Sequence, residues 1–194
     1  MPRILGSAAL AVALAAGMAG VSASSARAAA DRPAVPYALT AAIGQVWPEL
    51  RQGSNSAWPQ VTVRSLQYLL NAHGARLTVD GVFGPKTKAA VVALQHAKGL
   101  TASGVVQAST WRSLVVTVHR GSAGPAVRAV QDQVNFRNLK DGRTLAVDGL
   151  FGPKTEASVR AFQKAMAAEV AGFRVDGMVG PQTWQALVSE ALSG

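Results

Sequence analysis

The strongest constraint on the fold of this chain is an internal repeat. Residues 77–87 read LTVDGVFGPKT, and residues 145–155, 68 positions later, read LAVDGLFGPKT, so that nine of the eleven positions are identical. The apolar residues and glutamines on either side recur in the same order, with insertions of four and five residues in the second copy. Because repeated sequence folds into repeated structural units, we expect two copies of one small domain, joined near residues 119–124.

A shorter motif recurs within each copy. Asp-Gly-x-Phe-Gly-Pro-x-Thr at residues 80–87 and 148–155 returns as Asp-Gly-x-Val-Gly-Pro-x-Thr at 176–183, and a degraded form occupies residues 103–110. The aspartate of the motif can accept hydrogen bonds from nearby backbone N–H groups, and the glycine after it tolerates a positive φ. Proline is favoured at the first position of a helix, where its missing N–H costs nothing. Each copy therefore predicts a turn that starts a helix.

Apolar residues at helical spacing accompany these turns. Residues three, four and seven positions apart lie on one face of a helix, and each half of the chain shows this spacing in two longer helices and a short third one. The predicted core residues are Val63, Leu66, Leu70, Val91, Leu94, Trp111 and Leu114, and then Val127, Val130, Val134, Val159, Phe162, Trp184 and Leu187. The expected fold is all-α, with two tandem three-helix bundles. Bundles of this size bury a marginal core, so the large aromatic residues are expected to matter for stability.

The first thirty residues are typical of an export signal. Arg3 precedes an apolar stretch over residues 4–21, and small residues in an Ala-x-Ala pattern end at Ala28 or Ala30. Such a sequence predicts a secretory signal peptide that is removed. The alternative is a membrane anchor, because the stretch approaches spanning length. It consists mostly of Ala, Gly and Ser, however, and no cluster of positive charge follows it, which favours export with cleavage and a secreted product.

These observations give an expected domain organisation. A signal peptide over residues 1–28 precedes a linker or N-terminal arm over 29–52, in which prolines are spread among polar residues. The first module covers 53–118 and the second covers 119–194. No segment after the leader is long and apolar enough to span a bilayer, so we expect no stable membrane insertion after cleavage.

The motifs, taken in order, resemble a known family. Val-x-x-Leu-Gln at residues 63–67, Val-Asp-Gly-x-Phe-Gly-x-x-Thr at 79–87 and Asp-Gly-x-Val-Gly-x-x-Thr-Trp-x-x-Leu at 176–187 resemble the peptidoglycan-binding-like domains attached to many bacterial cell-wall hydrolases. The resemblance covers residues 53–190. It implies a three-helix fold, binding to peptidoglycan and association with the cell wall, without a cofactor.

The resemblance also implies a binding surface beside the Asp-Gly turns and the starts of the second and third helices. The candidate ligand-binding residues are Asp80, Phe83, Gly84 and Thr87 in the first module, and Asp148, Phe151, Gly152, Thr155, Gln163, Asp176, Gly177 and Thr183 in the second. The first module departs from the family pattern in its last loop, where Ser103 replaces the aspartate. That loop is expected to be less rigid or less able to bind, so we expect the second module to bind first.

Each repeated residue type also has a purely structural interpretation. The three aspartates provide one carboxylate per loop, which suits fixing the loop better than catalysis or a calcium site, since calcium requires six to eight oxygen ligands. The recurring glutamines are expected to bond loop backbone rather than the peptides of the wall; these are Gln67, Gln95, Gln131 and Gln163. Trp111 and Trp184 are expected in the core, with stacking on sugar rings as the alternative.

Composition limits the remaining function classes. The 194 residues include no cysteine, which excludes disulfides, thiolate metal sites and cysteine nucleophiles. The three histidines, His73, His96 and His119, lack the spacing of a zinc site. Nineteen basic residues against ten acidic ones give a net charge of +9, but they are scattered, unlike the basic stripe of a nucleic-acid-binding protein. A positive surface suits a polyanionic wall or simply confers solubility.

The predicted function is that of an exported protein without catalytic activity, metal or cofactor, which binds peptidoglycan through two modules. Two weak sites on one chain raise the overall affinity if both engage together. The alternative is a protein-interaction role, with a cell-wall hydrolase as the partner. A hydrolase with an unrecognised site is the third possibility, and no nucleic-acid partner is expected.

Overall fold

Six helices are present in the part of the chain that the computed structural model describes, residues 46–54, 60–137 and 144–189. In chain order they are α1 (Gln60–Ala72), α2 (Pro85–Ala97), α3 (Ala108–Leu114), α4 (Pro125–Arg137), α5 (Pro153–Glu169) and α6 (Pro181–Val188). The first three helices build one bundle and the last three build its repeat. The predicted all-α fold is confirmed. The predicted signal peptide, and the predicted linker up to residue 45, lie outside the described residues.

The repeated turns start the helices as the sequence predicts. The glycine after the aspartate has a positive φ in each copy, for example 74° at Gly81 and 78° at Gly149. The next glycine is the N-cap of α2, α5 or α6 in extended backbone, and proline follows it in the first turn. No side chain caps these three helices. The fixed φ of proline and its lack of an N–H make it suitable for this position.

The predicted apolar faces form the core. All fourteen predicted core residues are buried, and Trp111 and Trp184 have no exposed surface. Phe83 and Phe151, from the repeated turns, are also buried, at 1% and 2% exposed. The two modules therefore have equivalent cores, which the turn phenylalanines close at one end.

The segment 46–54, most of which falls within the predicted linker or N-terminal arm over residues 29–52, packs against the first bundle. The Trp47 ring stacks on Trp111 with centroids 5.9 Å apart, and the Trp111 indole N–H donates to the Pro48 carbonyl at 2.7 Å. Leu50 is buried and exchanges two backbone hydrogen bonds with Val106, of 3.0 and 2.8 Å. Leu50 and Val106 thus form an isolated antiparallel bridge beside α3.

The same arrangement recurs in the second module. The Trp184 indole donates to the Val116 carbonyl at 2.7 Å, and Val118 pairs with Val179 as Leu50 pairs with Val106. Residues 46–54 are thus the counterpart of residues 114–122, and the repeat begins earlier than its sequence identity indicates. The sequence signal shared by the two segments is short: a buried aliphatic residue followed three positions later by Gly-Ser, at residues 50–54 and 118–122.

The first helices of the two modules, α1 and α4, pack against each other. Each of these helices is buried on two faces, the apolar face toward its own bundle and a second face of smaller or polar residues. This second face comprises Thr62 and Ser65 on α1, and Ala126, Ala129 and Gln133 on α4, all of them 5% exposed or less. Small side chains allow helix axes to approach closely, and we call this contact the module interface.

Polar bonds fix the register of the module interface. Arg64 binds Asp132 through two hydrogen bonds, Nε to Oδ2 at 2.7 Å and Nη2 to Oδ1 at 3.1 Å. Beside this pair, the buried Gln133 amide donates to the Ser65 hydroxyl at 2.9 Å. A two-point arginine–carboxylate contact restricts geometry more than a single bond does. The two modules are therefore held in one arrangement.

The packing of residue 47 generates a stability prediction. Replacing Trp47 by Ala removes a ring that stacks on the core of the first module, so we expect a loss of about 3 kcal/mol in the free energy of unfolding, as for other buried aromatic residues. Val46→Ala is the matched control, because that side chain is 62% exposed. Urea denaturation of the mature chain measures both. Equal stability of the two variants would show that the segment does not belong to the module.

Candidate functional site

A buried glutamine organises each of the four turns. In the first turn of the first module the Gln67 side-chain oxygen accepts the Gly81 N–H at 2.9 Å. Its amide nitrogen donates to Asp80 Oδ1 at 2.7 Å, to the Val82 carbonyl at 3.1 Å and to the Thr87 hydroxyl at 3.3 Å. One side chain thus completes the hydrogen bonding of backbone and side-chain groups on both sides of the turn.

The other three turns repeat this pattern. Gln131 binds the turn of residues 148–155, Gln163 binds that of 176–183, and Gln95 binds the degraded copy at 103–110. All four glutamines are 2% exposed or less. The geometry shows the expected structural role of these glutamines, because their amide groups hydrogen-bond to the turns.

The degraded turn keeps the shape of the others. Ser103 takes the place of the aspartate, and its hydroxyl accepts the Val105 N–H at 3.2 Å. Gly104 has a φ of 71°, as in the intact copies. The contact from the glutamine amide to a carboxylate is missing, so the substitution changes the charge of this turn rather than the positive φ of its glycine.

The turn aspartates are held in their charged form. The Gln67 amide, and then the Val82 N–H, lower the pKa of Asp80. The Leu150 N–H, and then the Gln131 amide, do the same for the pKa of Asp148. Burial opposes ionisation of Asp176, but hydrogen bonds from the Met178 N–H and Gln163 outweigh it and lower that pKa as well. A carboxylate held charged by fixed donors is suited to loop fixing and unsuited to proton transfer near neutral pH.

An open cleft lies beside the first turn of each module. We call these the first-module cleft and the second-module cleft. Their volumes are about 380 and 550 Å³. The first is lined by Gln67, Leu77, Thr78, Asp80, Val82, Gly84, Pro85, Lys86 and Thr87, and the second by Gln131, Thr144, Leu145, Ala146, Asp148, Leu150, Gly152, Pro153, Lys154 and Thr155. Each residue that lines the first cleft has its repeat counterpart in the second, which is lined by Thr144 in addition.

An asparagine fixes the far wall of each cleft. The Asn71 side chain both donates to the Leu77 carbonyl at 2.9 Å and accepts its N–H at 2.8 Å. Asn135 makes the same pair of bonds to Leu145, at 2.8 and 2.6 Å. The wall and the turn are therefore both tied to the first helix of the module, so each cleft is preformed.

The mouth of each cleft combines an exposed apolar side chain with a lysine. Val82 is 51% exposed and Leu150 is 60% exposed, although each sits beside a buried phenylalanine. Lys86 and Lys154, in the first turn of α2 and α5, are exposed as well. Oδ1 of each turn aspartate takes the bonds from the turn, which leaves Oδ2 as an acceptor. The cleft thus presents a methyl-bearing surface, a positive charge and a carboxylate oxygen.

The structure divides the sequence-predicted site residues into three groups. Asp80, Gly84 and Thr87 line the first-module cleft, and Asp148, Gly152 and Thr155 line the second-module cleft. Phe83 and Phe151 lie in the core beneath these clefts. The last turn of the second module contains or binds the remaining four, Gln163, Asp176, Gly177 and Thr183; its exposed apolar residue is Met178, at 41%.

The sequence analysis missed the lysines and the exposed apolar residues of the clefts, although both lie inside the most strongly repeated segment.

The other candidate interpretations find no support in the geometry. The Trp111 and Trp184 rings are fully buried and offer no face to a sugar. His73 Nε2 donates to the Leu114 carbonyl at 2.9 Å. Among residues 46–54, 60–137 and 144–189, no group of three or more acidic or histidine side chains could hold a metal ion. Within the same ranges no helix has the length and apolar character needed to cross a membrane.

A second depression lies in the first module. It runs between the end of α1 and the face of α2, has a volume of about 670 Å³, and is floored by alanines of α2, with His73, Arg76 and Lys98 at its edge. Unlike the clefts, it is not built from the repeated turn motif.

The lowered aspartate pKa values generate a prediction on pH dependence. A carboxylate with a folded pKa below its unfolded value adds stability above the unfolded pKa, near 3.9, and loses it as the pH falls through the folded value. We expect the free energy of unfolding to decrease below about pH 4. In Asp148→Asn this decrease is expected to be smaller, because the amide oxygen accepts the same bonds without titrating.

Urea titrations between pH 7 and pH 2.5 measure this difference. Glu49→Gln removes a carboxylate outside the turns and serves as the control. An acid dependence of Asp148→Asn identical to that of the unchanged protein would contradict the role assigned to the charged aspartate.

The sequence matches a known protein family and is similar to parts of several known proteins. A family described as "Putative peptidoglycan binding domain" matches residues 60–114 and 123–187. A zinc D-Ala-D-Ala carboxypeptidase of Streptomyces albus G is 41% identical over 75 residues, which is 39% of this chain and 26% of that enzyme. An N-acetylmuramoyl-L-alanine amidase, CwlL, of Bacillus licheniformis is 26% identical over 140 residues, 69% of this chain and 36% of that enzyme.

An uncharacterised protein of Kitasatospora aureofaciens is 37% identical over 104 residues, covering 50% of this chain and 82% of that protein. No solved structure matches the chain significantly. The chain thus spans only about a quarter and about a third of the two enzymes it resembles. The family match, in contrast, covers more than half of the chain and falls on both helical bundles. The chain belongs to the peptidoglycan-binding domain family, of which it contains two tandem copies.

Proposed function

We propose that this chain is an exported protein without catalytic activity that binds peptidoglycan through the first-module cleft and the second-module cleft. The observation that carries the proposal is the equivalence of the two clefts: the repeated Phe-Gly-Pro-Lys-Thr segment gives both the same wall and the same lysine, and an exposed aliphatic residue precedes it in each. Family membership supports peptidoglycan as the ligand.

The chemistry of the clefts suits this polymer. Peptidoglycan offers peptide carboxylates, alanine and lactyl methyl groups, and sugar and amide groups that donate hydrogen bonds. Lys86 and Lys154 are placed to attract a carboxylate, and Val82 and Leu150 to cover methyl groups. An exposed lysine also gains little by pairing within the protein, so it is available to a ligand. The general excess of positive charge adds attraction without specificity.

Export and location follow from the same proposal. The N-terminal leader places the protein outside the membrane, where the wall is accessible, and binding retains it at the wall. The use of the turn aspartates as fixed hydrogen-bond acceptors supports a binding role over a catalytic one.

A matched pair of double variants tests the proposal. Lys86→Glu with Lys154→Glu reverses the charge at both clefts, and we expect affinity for purified, protein-free sacculi to fall at least about tenfold, the loss of roughly one charge-assisted bond per site. Arg112→Glu with Lys164→Glu makes the same change in net charge at exposed helix positions outside the clefts and is expected to alter binding by less than about twofold.

Sedimentation with sacculi at low and high salt measures both variants, and circular dichroism checks their folding. Equal losses in the two variants would show that binding is general charge attraction and would overturn the assignment of the clefts. Absence of binding by the unchanged protein, with retention of a cell-wall hydrolase instead, would favour the interaction role. Release of soluble muropeptides would show catalysis.

A further inference from the structure

On the first helix of each module, the residue that lines the cleft and the residues of the module interface lie at different angles around the helix axis. Successive residues of an α-helix are rotated by about 100° around its axis. On α1, Ser65 lies near the centre of the buried interface face, and its hydroxyl accepts the Gln133 amide of the other module. Gln67, two positions later, lines the first-module cleft. The cleft and the interface are therefore on nearly opposite sides of α1, about 160° apart.

The second module repeats this relation. Ala129 is the repeat counterpart of Ser65 and is fully buried on the interface face of α4. Gln131, again two positions later, lines the second-module cleft. Because α1 and α4 contact each other between the two modules, each cleft faces away from the other. The separation is at least two helix diameters, about 20 Å.

The modules cannot turn to bring the clefts to one side without breaking the module interface. The Arg64–Asp132 pair and the Gln133–Ser65 bond hold the interface in register. Arg128, the repeat counterpart of Arg64, instead donates to the Val147 carbonyl of its own module at 2.6 Å. Position 64 thus bonds to the other module, whereas its counterpart at position 128 bonds within its own module.

We propose that the protein bridges two separate peptidoglycan segments, one held on each side of the α1–α4 pair. This inference rests on the proposed function and adds a geometric condition to it. Two sites on one face would increase the affinity for a single short strand. Two sites facing apart give no such gain on a strand too short to pass around the helix pair, but they allow each bound molecule to capture a second segment.

A two-layer capture experiment tests the proposal. Sacculus fragments are attached sparsely to a surface, the mature protein is added and washed, and fluorescent fragments are then supplied. The unchanged protein is expected to retain labelled fragments at least about tenfold above the level without protein. Lys86→Glu and Lys154→Glu, each as a single variant, are expected to bind the first layer through the remaining cleft and to lose the second layer. The Arg112→Glu, Lys164→Glu variant is expected to keep both.

Each outcome separates the bridging proposal from the function on which it rests. Binding of the unchanged protein to the first layer without capture of the second would overturn bridging and leave peptidoglycan binding intact. Capture by either single variant as strong as that of the unchanged protein would show that self-association forms the bridge, and would also overturn the proposal. No binding to the first layer would overturn the proposed function and bridging together.

Discussion

The fold depends on buried glutamine amides that complete the turns between helices. A turn of this kind has backbone N–H and C=O groups that no helix or strand satisfies, and leaving one of them buried and unpaired costs about 1–3 kcal/mol. In the first turn, Gln67 pairs with Gly81, Val82, Asp80 and Thr87 at once. Equivalent bonds from a glutamine to the turn backbone in all four turns explain why a three-helix unit with a small core can hold long loops in one conformation.

The hydrogen bonds from the glutamines to the turns also determine which residues are exposed at the clefts. Because the glutamine fixes the turn from the protein side, the residue after Asp-Gly projects its side chain to solvent, and Val82 and Leu150 remain exposed. The asparagine one turn farther along the first helix fixes the opposite wall. Ligand binding to such a surface requires little ordering of the protein, which favours affinity for a flexible polymer.

Much of this architecture is predictable from the sequence. Helical spacing and the repeated turn motif predict the six helices and their cores, because burial on one face of a helix follows directly from periodicity. The inclusion of residues 46–54 in the first module was not predicted. Its counterpart at 114–122 shares little identity, and its main contacts are a ring stacked on Trp111 and backbone bonds, which leave little periodic pattern.

The module interface was also missed. Thr62, Ser65, Ala126 and Ala129 are the small or polar residues that an exposed helix face commonly carries, so the sequence does not distinguish burial against a second module from exposure. The repeat counterparts of Arg64 and Asp132 do not pair with each other. Aligning the two copies therefore does not reveal the Arg64–Asp132 ion pair. The sequence analysis predicted only some of the residues that line the clefts. It missed the lysines and the exposed apolar residues, because these come together with the other cleft residues only in the folded structure.

Backbone amide chemical shifts, recorded while soluble disaccharide-peptide fragments of peptidoglycan are added, test most directly where the ligand binds. The largest changes are expected in residues 80–87 and 148–155, with both segments reaching saturation and with two fragments bound per chain. Changes confined to the alanine-floored depression between α1 and α2, or to the last turn at residues 176–183, would contradict the assignment of the two clefts as the binding sites.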